Sequence, residues 1–161
     1  MNPDIKRIVV PIDFSASSEA AARFACDLAR KLEAHLYLIH VVGPSRLVRH
    51  GPNGSGPTGW ELARAKLATL RQQLGAAEIT IEVRTGSVDE AITSAVIAYG
   101  VDLIVMATHG RSGVPHLLFG SVAEQVIRTA PCPVLVMRDS GKIRVHIPAS
   151  RSVEDGMARI A

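Results

Sequence analysis

Short apolar runs rich in β-branched residues alternate along the chain with longer segments in which apolar residues recur every three or four positions. The short runs predict strands buried on both faces, and the periodic segments predict helices with one apolar stripe. Strands alternating with helices imply right-handed crossovers, and so an α/β domain with a doubly wound, open, five-stranded parallel sheet and helices on both faces. The predicted strands are 8–12, 35–42, 79–84, 103–107 and 134–137.

Helix starts are indicated by a hydroxyl residue followed three positions later by glutamate, which is the form of a capping box. This form occurs at Thr58, Ser87 and Ser121, while Ser15 to Ser18 turn into the first helix. Each predicted helix carries an apolar stripe. The stripes are Ala21, Phe24, Ala25, Leu28, Ala29 and Leu32; Leu62, Leu67, Leu70 and Leu74; Ala91, Ile92, Ala95, Val96 and Tyr99; and Val122, Val126 and Ile127.

The two ends of the sheet are less regular than its centre. In the third strand apolar and polar residues alternate from Ile79 to Arg84, which favours a strand at the sheet's edge. Beyond Arg138, the alternation of Ile143, Val145 and Ile147 with polar residues fits either an additional edge strand or a frayed terminus. We therefore expect one domain over residues 1–140 and a tail over 141–161.

Composition supports a folded domain and narrows its setting. The 161 residues are 47% hydrophobic, 20% charged and 4% aromatic, as expected for a globular protein with an aliphatic core. The net charge of +3 comes from scattered basic residues, which suits a polyanionic ligand but does not establish nucleic acid binding. Without a signal-peptide core or a membrane-length apolar segment, a cytoplasmic protein with no membrane partner is expected.

Cysteine and histidine positions point away from metal and disulfide chemistry. Cys26 and Cys132 are far apart and lie in a helix and just before a strand, so both are predicted to be small buried side chains. The six histidines lack metal-ligand spacing. No catalytic or metal-ligating residue is therefore expected.

The central stretch from Val101 to Glu124 combines a buried strand, a glycine-bearing loop and a helix start. Its glycines, Gly110, Gly113 and Gly120, allow backbone N–H groups to approach a bound group closely, and a helix start attracts anions. An alternative remains, in which the glycines serve turns and Ser121 with Glu124 only begins a helix.

This stretch resembles the nucleotide loop of ATP-binding members of the universal stress protein family. That loop has glycine, two residues, glycine, nine residues, and glycine before serine or threonine. Here the second glycine is Gly110, residues 111–119 supply the nine, and Gly120 precedes Ser121, whereas Ala107 replaces the first glycine. Alanine permits close approach but not a glycine-only backbone angle. The run Arg111-Ser112-Gly113 and residues 130–136 extend the resemblance, which covers residues 5–138.

The resemblance implies an adenine nucleotide alpha hydrolase-like fold with strand order 3-2-1-4-5, in which Asp13 and the loop after the fourth strand meet at one crevice. It places adenine near His40 and Val41, held by apolar contact and backbone hydrogen bonds. ATP or another adenine nucleotide is the implied cofactor, with Mg²⁺ held mainly through phosphates. The implied binding residues are Pro11, Asp13, Val41, Met106, Ala107, His109, Gly110, Arg111, Gly113, Gly120, Ser121 and Val122.

Two of these positions also have structural interpretations. Asp13 could cap the turn that follows it instead of contacting ribose. His40, like His109 and His116, is interpreted as a packed and hydrogen-bonded side chain rather than a catalytic base.

A second glycine pattern, from Gly54 to Gly59, matches the GxGxxG letters of dinucleotide-binding turns. It lies about eleven residues beyond the second predicted strand and contains Pro57, whereas the fingerprint directly follows the first strand. We interpret it as a surface loop.

The resemblance favours a nucleotide-binding stress-response sensor or regulator that forms a homodimer through its last strand and acts on a protein partner not identified by the sequence. Two alternatives come from other classes. One is a slow ATPase or autophosphorylating enzyme, and the other is a dimeric interaction protein that binds no nucleotide, towards which Ala107 points.

Overall fold

The computed structural model describes residues 4–43, 55–75, 78–108, 120–138 and 142–148. Within these ranges, six strands and four helices follow one another along the chain. They are β1 (Arg7–Pro11), α1 (Ala16–Leu32), β2 (His35–Val42), α2 (Gly59–Leu74), β3 (Ile79–Thr85), α3 (Val88–Tyr99), β4 (Leu103–Ala107), α4 (Ser121–Thr129), β5 (Val134–Met137) and β6 (Ile143–His146).

The strands form one sheet in the order β3-β2-β1-β4-β5-β6. The first five are parallel, which confirms the predicted doubly wound α/β core and its order 3-2-1-4-5. The polar and apolar alternation beyond Arg138 forms β6, which runs antiparallel to β5. Of the two alternatives for residues 143–147, the structure thus has the extra strand, and the sheet gains a sixth member.

The helices cover the two faces of this sheet and divide the core into two layers. On one face α1 and α2 pack against residues such as Ile8, Leu36 and Val105. On the other, α3 and α4 pack against residues such as Val9, Ile104 and Val134. Because successive residues of a strand point to opposite faces, each of the central strands contributes to both layers.

Three capping boxes were predicted, and one is formed. The Thr58 N–H donates to Glu61 Oε2 at 2.7 Å, and the Glu61 N–H donates to Thr58 Oγ1 at 3.1 Å. The other two predictions are wrong. Ser87 occupies the N-cap position of α3, but its side chain accepts no hydrogen bond from the helix backbone. Its hydroxyl donates to the Asp89 carboxylate instead. Ser121 is the first residue inside α4, and the cap position belongs to Gly120, which has no side chain.

The apolar stripes are reproduced with two exceptions. The buried residues of α2 are Ala63, Leu67, Leu70 and Leu74, and Leu62 is 46% exposed because it lies off this three- and four-residue spacing. Val122 was expected to point inward from α4, but it is 38% exposed. Its helix instead presents Ala123 and Val126 to the core.

Both cysteines are buried and free of disulfide bonds, as predicted. Burial raises the pKa of the Cys26 thiol, whose Sγ lies 3.7 Å from the Leu74 carbonyl. Of the helices in the described ranges, none is both long enough and apolar enough to cross a bilayer.

Candidate functional site

A crevice of about 300 Å³ opens at the carboxyl ends of β1, β2 and β4, beside the start of α4. This is the point where the strand order reverses, because β1 is flanked by β2 on one side and by β4 on the other. Ligands of open α/β sheets bind at such reversal points. Eight of the predicted binding residues line the crevice: Pro11, Asp13, Val41, Met106, Ala107, Gly120, Ser121 and Val122. The other four, His109, Gly110, Arg111 and Gly113, lie outside the described residues.

Asp13 forms a capped turn at the mouth of the crevice. Its Oδ1 accepts hydrogen bonds from the Ser15 N–H at 3.0 Å and from the Ser15 hydroxyl at 2.6 Å. Ser15 in turn caps α1, since its Oγ accepts from the Ser18 N–H at 3.1 Å. Asp13 therefore takes the turn-capping role that was one of its two interpretations, and from the same position it lines the crevice.

The next residue, Phe14, adopts a left-handed backbone conformation with φ of 62°. For a residue with a Cβ this conformation costs on the order of 1 kcal/mol. Contacts on the ring hold it in place, since the His40 ring lies 4.6 Å away and the Lys66 ammonium lies 5.3 Å from the ring centroid. The turn that carries Asp13 is thereby anchored to β2 and α2.

His40 is packed and hydrogen-bonded, as predicted, and it also lines the crevice. Its Nδ1 lies 2.6 Å from the Ile12 carbonyl oxygen. A carbonyl can only accept, so Nδ1 carries the proton of this hydrogen bond. The bond ties the end of β2 to the residue that follows β1.

Gly120 brings the start of α4 against the end of β4. Its N–H donates to the Thr108 carbonyl at 2.8 Å, and a Cβ at this position would lie 3.0 Å from the same oxygen. With φ of −68° the backbone is one that any residue adopts, so close approach alone explains the glycine. Because the cap residue has no side chain, the first N–H groups of α4 are left to whatever occupies the crevice.

A helix start of this kind carries partial positive charge and unsatisfied donors. Ser121, Val122 and Ala123, which supply the first N–H groups of α4, all line the crevice. The crevice fits a ligand with an anionic end and hydroxyl groups. The anionic end would meet the N–H donors of α4 next to Gly120, and the hydroxyl groups would meet the Asp13 carboxylate.

Ala107 is the last residue of β4 and lies in register with Met137 of β5. Among the described non-glycine residues, only Phe14 and Glu33 have positive φ. Position 107 is therefore extended and does not need the conformational freedom of glycine. Alanine at position 107, in place of the first glycine of the loop pattern, therefore does not distort the backbone at this end of the crevice.

The Asp13 carboxylate and the positive end of the α4 dipole set the electrostatic potential in the crevice. Within the described ranges, no group of three or more histidine, cysteine, aspartate or glutamate residues could hold a metal ion. At the start of α3, beside the crevice residue Val88, the Ser87 hydroxyl donates to Asp89 and lowers the pKa of that exposed carboxyl.

Sequence reasoning missed several crevice residues, chiefly Ser18, Val88 and Thr108. Ser18 and Thr108 are 5% and 1% exposed. The signal that could have found them in the sequence is their position, since Ser18 follows the Asp13 turn and Thr108 comes just before the glycine loop. Val88 gives no such signal, since its place depends on how α3 packs across the sheet.

Comparison with known proteins gives one consistent family. A model of the universal stress protein family matches residues 4–138. A universal stress protein of Methanocaldococcus jannaschii is 35% identical to the chain over 147 residues, which cover 85% of this chain and 84% of that protein.

Solved structures agree with this fold. The universal stress protein UspA from Lactobacillus plantarum matches with a TM-score of 0.68 and 27% identity, over 83% of this chain and 98% of that one. A universal stress protein from Archaeoglobus fulgidus, in complex with dAMP, matches with a TM-score of 0.58 and 24% identity, over 81% and 96% of the two chains. At this lower identity the likeness shows the shared fold.

Proposed function

The chain belongs to the universal stress protein family, and from this membership we propose that its crevice binds an adenine nucleotide, with ATP as the principal ligand. One observation carries the proposal. A single crevice brings together apolar side chains, a carboxylate and an uncapped helix start, which are the three environments that a base, a ribose and phosphates require.

The base is assigned to the apolar side of the crevice. Val41, Val88 and Met106 line it there, on three different elements. Apolar side chains from separate elements can enclose a planar ring, and backbone groups of β2 at its carboxyl end can read the ring's edge. The Archaeoglobus protein of this fold holds dAMP, which is an adenine mononucleotide.

The ribose and phosphates are assigned to the polar side. Asp13 lines the crevice with one carboxylate oxygen committed to the Ser15 turn, and a carboxylate oxygen accepts hydrogen bonds from ribose hydroxyls. The start of α4, at Ser121 and Val122, offers N–H donors and positive dipole to phosphate oxygens. We propose that Mg²⁺ accompanying ATP is held mainly by those phosphates.

We propose that the bound nucleotide serves regulation of the stress response more than turnover. ATP hydrolysis needs a positioned attacking water in addition to bound phosphates. The contacts assigned above bind and orient a nucleotide, and none of them activates water. A sensor whose surface depends on its nucleotide needs only the binding step.

Isothermal titration of the nucleotide-free protein with ATP and Mg²⁺ tests this proposal, with AMP as a second ligand. Gly120→Asp places a carboxylate at the assigned phosphate position, so we expect it to abolish ATP binding and to weaken AMP binding. Gln72→Asp, which adds the same charge on α2, should bind ATP as the wild type does. Circular dichroism of both variants checks that they are folded.

Two results would contradict the proposal. Absence of saturable binding by the folded wild type would favour a nucleotide-independent interaction protein. Release of inorganic phosphate from ATP, lost in Gly120→Asp, would place the protein among slow ATPases.

We also propose a homodimer formed through β6. Ile143, Val145 and Ile147 are 43%, 59% and 64% exposed, and β6 is the outermost strand of the sheet. In the register of β5 and β6, Ile143 and Val145 lie beside Met137 and Leu135, on the face that also packs α1. A second copy laid against β6 would extend this apolar surface and remove it from water.

Light scattering tests the dimer. Val145→Lys should convert a dimer to a monomer, since it places a charge inside the proposed contact. Ile97→Lys is the matched control, because Ile97 is 69% exposed on α3 and lies outside that contact. A wild-type protein that stays monomeric at high concentration would rule out this assembly.

A further inference from the structure

The second edge of the sheet carries a groove that the nucleotide site does not use. β3 is the outermost strand on this side, and none of its seven residues is fully buried. Alongside β3, the flank of α2 forms a groove of about 550 Å³, with Trp60, Glu61, Arg64, Ala65, Ala68 and Arg71 on the helix side. On the strand side it is lined by Ile79, Thr80 and Ile81.

The geometry of this groove suits an added strand. An edge strand presents unpaired N–H and C=O groups along its free side. Trp60 and Arg71 are eleven residues apart on α2, so at 1.5 Å per residue the helix wall extends about 16 Å, close to the length of a five-residue strand. The small side chains of Ala65 and Ala68 leave space in the middle of the groove.

The sequence of β3 favours strand pairing at this edge. The strand contains no proline, and Ile79, Thr80, Ile81 and Val83 are β-branched residues that favour strand pairing. The two charged residues of β3, Glu82 and Arg84, pair with each other at 2.8 Å, so the strand carries no net charge that would repel an added strand. The β3 edge is therefore open to a strand from another protein.

The charges around the groove select its occupant. Arg64 lies over the Trp60 ring at 5.6 Å, and neither Arg64 nor Arg71 forms an ion pair with another residue in the described part of the chain.

The nearby carboxylates already have partners. Glu61 holds the Thr58 cap, with 2.7 Å between its Oε2 and the Thr58 nitrogen. Glu78 lies 3.3 Å from His35. Glu82 accepts hydrogen bonds from Arg84 at 2.8 Å and from Tyr99 at 2.7 Å. The helix wall therefore carries two arginines against the single carboxylate of Glu61, which leaves it with a net positive charge.

We propose that the groove between α2 and β3 binds an extended acidic segment of a partner protein, which joins the sheet as a strand beside β3. Its carboxylates pair with Arg64 and Arg71, and its main chain bonds to the free edge. A second copy of this chain is disfavoured, because pairing two β3 edges would bring like-charged arginines together. This interaction is independent of the nucleotide crevice.

Trp60 provides a direct reporter, because it is the chain's only tryptophan. A peptide of about eight alternating glutamate and threonine residues, capped at both ends, places its carboxylates on one face of a strand. Titrating it into the full-length protein should change the Trp60 fluorescence saturably, and binding should weaken as salt is raised.

Two variants and three control ligands make this test specific. Arg64→Glu with Arg71→Glu should weaken the acidic peptide by about tenfold or more and should gain binding of a lysine-threonine peptide. Lys31→Glu with Arg128→Glu makes the same change in net charge on α1 and α4, and it should bind the acidic peptide as the wild type does. The acidic peptide with every backbone nitrogen methylated keeps the charge but lacks donors for strand pairing, so it should bind at least about tenfold more weakly.

Several results would overturn the proposal. These are no saturable change with the acidic peptide, equal binding of the peptide with methylated backbone nitrogens, or equal loss in both double variants. Equal binding of a single-stranded oligonucleotide with the same negative charge would show a general polyanion surface instead.

Discussion

Single residues set the fine structure of the crevice, and Gly120 is the clearest case. Its N–H bonds the Thr108 carbonyl, and its lack of a Cβ permits the 2.8 Å contact. Ala107 shows the opposite situation, since its extended backbone is open to any residue. Of these two loop positions, the structure requires glycine only at 120.

We expect Gly120→Ala to lower both stability and ATP affinity, because the new Cβ would push the Thr108 carbonyl and shift the start of α4. The free energy of unfolding should fall by about 1–3 kcal/mol, the usual cost of a steric insertion. Gly43→Ala is the matched control, since a Cβ there meets nothing within 4 Å. Urea unfolding and titration with ATP measure both effects. Equal losses in the two variants would show that the Thr108 contact is unimportant.

Tyr99 gives a prediction about pH. Its hydroxyl donates to Glu82 Oε2, and this hydrogen bond, with burial, raises the pKa of the phenol. A raised folded pKa means that the stabilisation is complete below the unfolded value of about 10 and is lost as pH rises through the folded value. Tyr99→Phe should therefore cost about 0.5–1 kcal/mol at neutral pH, and less at alkaline pH once the phenol has lost its proton in the folded protein.

Urea unfolding of the wild type and Tyr99→Phe at several pH values measures this difference. Spectroscopic titration of tyrosinate should lose its highest-pH component in the variant. A stability difference that stays constant through the alkaline range would contradict the assigned hydrogen bond.

At the scale of elements, similar sequence signals have different outcomes. Thr58 with Glu61 forms a reciprocal capping box, whereas Ser87, with Glu90 at the same spacing, forms none. The Ser87 hydroxyl finds a competing acceptor in Asp89. Spacing therefore predicts where a helix begins better than it predicts which hydrogen bonds cap it.

Thr58→Ala and Ser87→Ala form a matched pair that tests this difference. We expect Thr58→Ala to lower the free energy of unfolding by about 1 kcal/mol, since it leaves the Glu61 N–H without its side-chain acceptor. Ser87→Ala should cost less than about 0.5 kcal/mol, because the backbone of α3 loses no side-chain hydrogen bond. Thermal and urea unfolding compare the two. A larger loss in Ser87→Ala would reverse the assignment.

At the scale of the whole molecule, the sheet is held by contacts between distant parts of the chain. Asp102, just before β4, accepts hydrogen bonds through Oδ2 from the backbone N–H groups of Lys6 and Arg7, both at 3.0 Å. This link fixes the start of β1 beside β4 at the end of the sheet opposite the crevice.

Asp102→Ala should lower the free energy of unfolding by about 1–2 kcal/mol, because two backbone donors lose a charged acceptor at a partly solvated position. Asp4→Ala is the control. Its carboxylate is 81% exposed and pairs only with the Lys6 side chain among the described residues, so its loss should be within about 0.5 kcal/mol. Chemical unfolding of the two variants measures this difference. An equal, small loss in both would show that the Asp102 hydrogen bonds do not stabilise the sheet.

The sequence by itself determined the alternation of strands and helices, the open edge at β3 and the burial of both cysteines. These properties depend on apolar spacing within a few residues, which is readable without the fold. Together with the resemblance in the glycine loop, this was enough to predict the strand order and most crevice residues that the structure describes. His109, Gly110, Arg111 and Gly113 stay predictions.

Only the tertiary structure decided what meets at the crevice and what lies at the edges. Ser18, Val88 and Thr108 come together because crossovers bring α1, α3 and the end of β4 to one place, and no local pattern encodes that meeting. The contact between Gly120 and Thr108, the pairing of β6 with β5 and the groove beside β3 likewise depend on packing. Periodicity is set by neighbouring residues, whereas contacts between distant residues are set by how whole elements pack.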